Sequence, residues 1–430
     1  MSGKRSGRTR REFFADTTRA GIAASLAAGL LARRADGDAA QSVVFRVDAC
    51  PTHDGALRHV GVDALFGLLA VNGLRLYRTT SFHPWGGSDG MIDRNDVVII
   101  KVNCQWKCRG TTNTDVLRGV IHRVLEHPDG FNGEVVVIEN GQGRGGFSGV
   151  NPNEGASYGA WPEVLGRVKV NAEDETLTVN ALVNDVFAGR KVSSYLLDGI
   201  RSRFIASAEH RTDGYRTVTP PSGSGPATPV SYPCFTTAYG SRIELREGRW
   251  TGSEYADDVK LINLPVLKHH DGSGMTGALK HVYGILSMSD GYSGPRHYRE
   301  IGSQCGRIWT LVRKPDLNIL DCIWVSHDSL TGYPPETTRR CNVLLAGKDP
   351  VALDYIASKH VLAPLGGSHA AEHDADAFPG LIGMMADAES VINASGGIGG
   401  APVRRGDENI TVLARSAVRQ RRVRRVLRRG

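Results

Sequence analysis

The sequence predicts an α/β protein with a mostly parallel central sheet, flanking helices and an inserted, loop-rich α+β cap. Three observations carry this. Unbroken β-branched runs such as VVIIKV at 97–102 and EVVVIE at 134–139 have the composition of strands buried on both faces, as parallel strands are. Amphipathic helical stretches alternate with them across 96–140 and 259–361, the pattern of a parallel sheet covered by helices. Between 141 and 250 the alternation fails, and Gly, Asn, Ser and Pro accumulate, with PPSGSGP at 220–226.

Residues 43–47 read as a first strand. Residues 60–70 have helical spacing and stop at Asn72-Gly73, a good C-cap. A short strand is expected at 74–77 and a buried one at 96–103. Thr114 can cap a helix over 114–127, with Asp115 at its positive end and Val116, Val120, Ile121, Val124 and Leu125 as its apolar stripe. The strand at 134–139 completes a βαβ unit. The insertion, 141–250, carries a hairpin over 235–246. Strands follow at 259–267, 317–325 and 342–346, with a helix at 301–312. Asp349 caps and Pro350 opens a helix reaching 361. Residues 366–377 form a loop, 382–387 a short helix and 409–413 a last strand. The folded domain is expected to span 41–414, with its core at 96–140 and 259–362.

The chain has 430 residues, 40% of them hydrophobic and 23% charged, ordinary values for a soluble protein with a sizeable core. Its net charge of +7 is unevenly placed. Residues 1–40 carry +4 and residues 415–430 carry +8, which leaves −5 for the body between them. A mildly acidic body lacks the basic face of a nucleic-acid-binding core, so no nucleic-acid partner is expected.

Arg10-Arg11 precede Phe13-Phe14 and an apolar run over 20–32, too short to span a bilayer. That order resembles a twin-arginine export signal occupying 1–40, with the twin-arginine machinery as partner and a periplasmic or extracellular destination. The arginine-rich tail, 415–430, is either a helix lying on an anionic membrane surface or a disordered basic tail. Seven cysteines are scattered, with no CxxC and no ferredoxin-type run. Cys104 and Cys108 are the one close pair, and unpaired thiols are the favoured reading for them.

The richest stretch is 259–290, VKLINLPVLKHHDGSGMTGALKHVYGILSMSD. An apolar strand leads into two histidines, a glycine-rich turn and an amphipathic segment with Lys280, a combination suited to an anionic ligand. GSGMTG at 272–277 fits G-x-G-x-x-G, but a polar segment separates it from the strand and no acid-tipped second strand follows twenty residues on. A turn feeding an anion-holding helix N-terminus is the better reading. Thr276 and Lys280, four apart, share a helix face. His369 and His373, with Asp374 and Asp376, have metal-ligand types but sit in a Gly/Ala-rich loop, and an exposed polar loop is the favoured reading. Asp349 is accounted for as a helix cap, and Asp354 lies at the edge of its helix's apolar stripe.

Four segments, VVIIKVN, LINLPVLKHHDGSGMTGALKHVYGIL, LNILDCIWV and LLAGKDPVALDYIA, together resemble the family DUF362, a domain of unknown function, over about 96–362. The resemblance rests most on P-x-L-K-x-H followed by T-x-x-x-K-x-x-x-G, matched by Lys268, His270, Thr276, Lys280 and Gly284. Lys101 and Asn103 match its K-x-N, Asp321 the aspartate ending its third strand, and Asp349, Pro350, Ala352 and Asp354 its D-P-x-A-x-D. Some relatives carry ferredoxin-like modules and are described as iron–sulfur proteins. This chain has no such module, so an iron–sulfur cluster is less favoured than a divalent metal.

The expectation is a crevice at the carboxyl ends of the strands bearing Lys101, Glu139, Lys268 and Asp321. The favoured function is an enzyme acting on a small anionic substrate, carboxylate or phosphate. Lys101, Lys268 and Lys280 would hold the charge, with Asn103, Asn113, Glu139 and Thr276 as further contacts. His270 would be the general acid/base. Asp321 and Asp354 would orient these groups, or Asp349 and Asp354 would bind a divalent cation. A desolvated lysine could instead form a Schiff base. The alternatives are an iron–sulfur or metal-dependent redox protein using Cys104, Cys108 and histidines, and a non-catalytic binding protein.

Overall fold

The computed structural model describes residues 41–51, 57–106, 108–141, 170–174, 176–206, 208–221, 228–287 and 300–418. The export signal expected at 1–40 and the tail from 419 onward lie outside the described residues.

Eight strands form the path of the main sheet. Their order is Ile410–Ser416, Ser42–Asp48, Thr338–Gly347, Leu317–Ser326, Val259–Leu264, Val97–Val102, Glu134–Glu139 and Val192–Leu196. Among the described residues, Thr338–Gly347 alone on this path runs antiparallel to its neighbours. The remaining pairings are parallel. Every residue of Val97–Val102, Glu134–Glu139 and Val259–Leu264 is buried, as a sheet covered on both faces requires. Each buried Val or Ile contributes about 1.5–3 kcal/mol, which is what lets such a strand also carry Lys101 into the interior.

Alternate strand residues face opposite layers. Val98 and Ile100 pack with Val62 and Leu65 of the helix Val60–Val71 and Val116 and Val120 of Thr114–Leu125. Val97, Ile99, Val259 and Leu261 face the other way, into the layer of Ile301–Arg307, Pro350–Ala357 and Pro379–Ala394. A separate five-stranded sheet covers this second layer, with Tyr232, Phe235 and Ile243 in its core.

The insertion is less separate than its composition suggests. Val192–Leu196 joins the main sheet beside Glu134–Glu139, and the five-stranded antiparallel sheet is built from strands between Gly214 and Ala256. The hairpin expected at 235–246 is the pairing of Val230–Thr236 with Arg242–Glu244. Asn113, not Thr114, caps its helix. The helix expected at 382–387 runs over Pro379–Ala394, because Leu381, Met384, Met385, Ala388 and Ile392 continue one buried stripe.

The apolar run at 259–267 is not one strand. Pro265 lacks an N–H and interrupts it, and the chain resumes as Val266–His270, which turns back in a hairpin with Gly274–Thr276. Asn103 and Thr112 pin the break. Val266 N–H donates to Asn103 Oδ1 at 3.0 Å, and Thr112 Oγ1 donates to the Leu264 carbonyl at 2.9 Å.

Candidate functional site

A polar row crosses the sheet on the face that carries the second layer. Lys101 is in register with Asn263, Asn263 with Asn318, and Asn318 with Gly347. Asn263 Nδ2 donates to the Ala278 carbonyl at 3.0 Å and to Asn318 Oδ1 at 2.8 Å. Those acceptors fix the amide orientation, so its Oδ1 accepts from His281 Nδ1, 2.6 Å away. His281 Nε2 is then a lone pair, and Lys101 Nζ lies 3.1 Å from it. Lys101 also bonds the Glu139 carboxylate and the Val102 carbonyl. Burial, with the Lys101 charge beside it, holds His281 well below the usual imidazole range. Burial likewise pushes Glu139 up, against the attraction of Lys101. Gly284 closes over this group: a Cβ there would meet Lys101 Nζ at 2.9 Å. The row is a buried hydrogen-bond chain in which each named side chain has a partner, the condition under which such a network stabilises.

Lys268 is buried beside this group. Its Nζ donates to the Gly110 carbonyl at 2.8 Å, and its charge acts on both His281 and Cys104. Lys280 points elsewhere, toward Cys305 on the helix Ile301–Arg307. Only 8% of Lys280 is exposed; its ammonium makes no hydrogen bond among the described residues but is not fully shut off from solvent. Burial pulls it down to about 7, partly offset by Cys305 and Asp271. Thr276 ends the strand Gly274–Thr276 and is followed by extended Gly277, so the helix face expected to join it to Lys280 does not form.

The helix N-terminus expected to hold a ligand already holds an anion. Asp354 accepts from the Ala278 N–H at 2.5 Å and the Leu279 N–H at 2.9 Å, at the head of the four-residue turn Ala278–His281. A Cβ on Gly277 would lie 2.3 Å from Asp354 Oδ1, so the close approach requires glycine. Burial pushes Asp354 up to about 7, while the two N–H groups draw it down.

The remaining expected residues are spread more widely. Asp321 has the parity of Ile319 and Ile323 and faces the first layer, opposite to Lys101. It accepts from the Asn113 and Ile323 N–H groups at 2.8 and 2.9 Å, and burial pushes it up to about 7. The single crevice expected for Lys101, Lys268, Lys280 and Asp321 is therefore corrected: period-two alternation sends Asp321 to the other face, and the helical turn sends Lys280 away from Lys101. Asn103 and Asn113 spend their side-chain oxygens on Val266 N–H and on the helix cap. Asp349 caps its own helix and accepts from Arg404 N–H at 3.0 Å. His270 sits half-buried at the hairpin tip with Nδ1 2.8 Å from the Asp271 carbonyl, while its neighbour His269 turns inward.

Among the described residues, one group of three ligand-type side chains has its atoms within 4.8 Å of one another: His269, His369 and Glu372. Asp349 and Asp354 are not in it, and neither is any cysteine. All seven cysteines are free thiols and six are buried, with burial pushing Cys50 and Cys305 up to about 12. Asn263 and His281 were legible only as oddities, an amide within a buried apolar strand and a histidine beside Lys280.

Lys268, Thr276, Lys280 and Asp354 thus surround one hairpin-and-turn unit. Residues 233–359 match the family DUF362, Domain of unknown function (DUF362). The DUF362 segment contains Asn263, Lys268, His270, Thr276, Lys280, His281, Asp321, Asp349 and Asp354. Lys101 and Glu139, which complete the polar row, lie outside it, as do His369 and Glu372. No curated protein and no solved structure matches the chain.

Proposed function

We propose that this protein is an enzyme acting on a small anionic compound, a carboxylate or phosphate, bound at Lys280. One observation carries the reading. A largely buried ammonium that makes no hydrogen bond among the described residues and whose end still reaches solvent is placed to receive an anion. An anion beside it supplies the missing countercharge. Lys101 and Lys268, each already bonded, lie with His281 and are not assigned to the ligand.

The depressed Lys280 also supports a second reading, attack of its neutral amine on a substrate carbonyl to form a Schiff base. A thermal-shift screen of wild type and Lys280→Met against carboxylates and phosphates tests the main reading. The expected result is stabilisation of the wild type that the variant loses, and an equal shift in both removes Lys280 from the site. Turnover assays on each hit separate an enzyme from a binding protein. Borohydride treatment with carbonyl-bearing hits, read by mass spectrometry at Lys280, tests the Schiff base.

Export by the twin-arginine route belongs to the same proposal, supported by Arg10-Arg11, Phe13-Phe14 and the apolar run after them. Replacing both arginines with lysine should retain the protein in the cytoplasm on cell fractionation. Contact of the arginine-rich tail with an anionic membrane surface is a further part of it, read by vesicle co-sedimentation with and without residues 415–430.

A further inference from the structure

The loop carrying His369 and His373 packs against the hairpin strand that carries His269. The His269 and His369 rings stack with centroids 4.0 Å apart. His269 Nδ1 lies 3.0 Å from His373 Nε2, and His269 Nε2 lies 3.0 Å from Asp271 Oδ1. His369 Nδ1 lies 2.9 Å from Glu372 Oε1. Asp328 holds the start of the loop, accepting from Ser368 Oγ at 2.7 Å and from His369 N–H at 3.0 Å. Gly274 keeps hairpin and loop close, since a Cβ there would meet the Glu372 carbonyl oxygen at 2.3 Å.

We propose that His269, His369 and Glu372 form a binding site for a divalent transition-metal ion of the zinc class. Two imidazoles and a carboxylate are a donor set that zinc takes, and three protein ligands leave a coordination position open. Tetrahedral ligands about 2.1 Å from an ion stand about 3.4 Å apart. The three ligand atoms, all within 4.8 Å of one another, need only a small contraction. The two rings are 26° from parallel, so His369 must swing to make its lone pair converge with that of His269. Half-buried on a loop, it has room to do so.

His373 has the geometry of a supporting residue. When His269 gives Nε2 to an ion, its Nδ1–H donates to His373 Nε2, and that bond orients the ring. Asp271, freed from His269, stands next to the open position.

The inference goes beyond the anion reading, and its test uses no substrate. The untagged full chain, stripped with chelator, is titrated with Co²⁺ by visible absorption and with Zn²⁺ by calorimetry. One equivalent of Zn²⁺ should bind, and Co²⁺ should give a ligand-field band that Zn²⁺ abolishes. His369→Ala and Glu372→Gln, at half-buried loop positions, should melt near the wild-type temperature and each lose affinity at least tenfold. Wild-type protein that binds neither ion overturns the proposal. So does binding that both folded variants retain in full.

Discussion

Asp354 Oδ2 accepts from the Leu279 N–H at 2.9 Å across 75 residues of chain, and its other oxygen takes Ala278 N–H. The carboxylate occupies the head of the turn whose next two side chains, Lys280 and His281, serve different surroundings. In the proposed reading, therefore, the ligand is met by a side-chain cation and not by free backbone N–H groups at this turn.

Replacing Asp354 with Asn keeps the shape but turns one acceptor into a donor facing a buried N–H. A loss of about 1–3 kcal/mol is expected, the cost of stranding a buried polar group. Gly277→Ala should also destabilise, because its Cβ would collide with the same carboxylate. Urea unfolding of both variants measures this, and wild-type stability in either one contradicts the cap.

Lys280→Met should be more stable than wild type at pH 7, by a few kcal/mol. The sign follows from a folded pKa of about 7 against an ordinary value of 10.5. Between these values the unfolded chain binds more protons, so the lysine's cost is largest near and below pH 7 and is relieved as pH rises toward 10. Urea midpoints at pH 7 and pH 10 should therefore converge for the two proteins. A gap that does not change with pH would mean that Lys280 is charged and solvated.

Affinity for the anion should depend on pH in the opposite sense to that relief. Binding requires protonated Lys280, so affinity is flat below about pH 7 and falls by up to tenfold per pH unit above it. Calorimetry in buffers of different ionisation heat should register proton uptake on binding at pH 8. Absence of uptake would exclude Lys280 as the ligand's countercharge.

Lys101→Met strands the Glu139 carboxylate and leaves His281 Nε2 without its donor. A loss of about 3–5 kcal/mol is expected, as for one partner removed from a buried pair. Adding Glu139→Gln should restore part of it, since the uncompensated charge is gone. Simple additivity of the two substitutions in denaturation would show that the pair is not coupled.

The central strands were readable because Val97–Val102, Glu134–Glu139 and Val259–Leu264 are contiguous runs whose residues are all buried, which composition alone registers. Val97–Val102 and Glu134–Glu139 are cases where one residue type says both strand and interior. The site was readable only as a segment. The sequence places Lys268, His269, His270, Thr276 and Lys280 within a dozen residues, and the match to DUF362 falls on the same segment. It does not reveal that His269 turns inward while His270 stays at the tip, because strand alternation needs a register and Pro265 resets it. Nor does it reveal that His369 belongs with His269, which a distant loop brings together.

What the sequence by itself determined is the α/β class, the buried strands and the stretch where chemistry-bearing residues gather, all of which follow from local composition and period. What only the tertiary structure decided is which charges are neutralised. Lys101 meets Glu139 and His281, Asp354 covers a turn formed far away in the chain, and Lys280 is left without a partner among the described residues. The physical reason is that an ionisable group takes its properties from neighbours within a few ångströms, and those neighbours come from strands and helices that meet only once the sheet has closed.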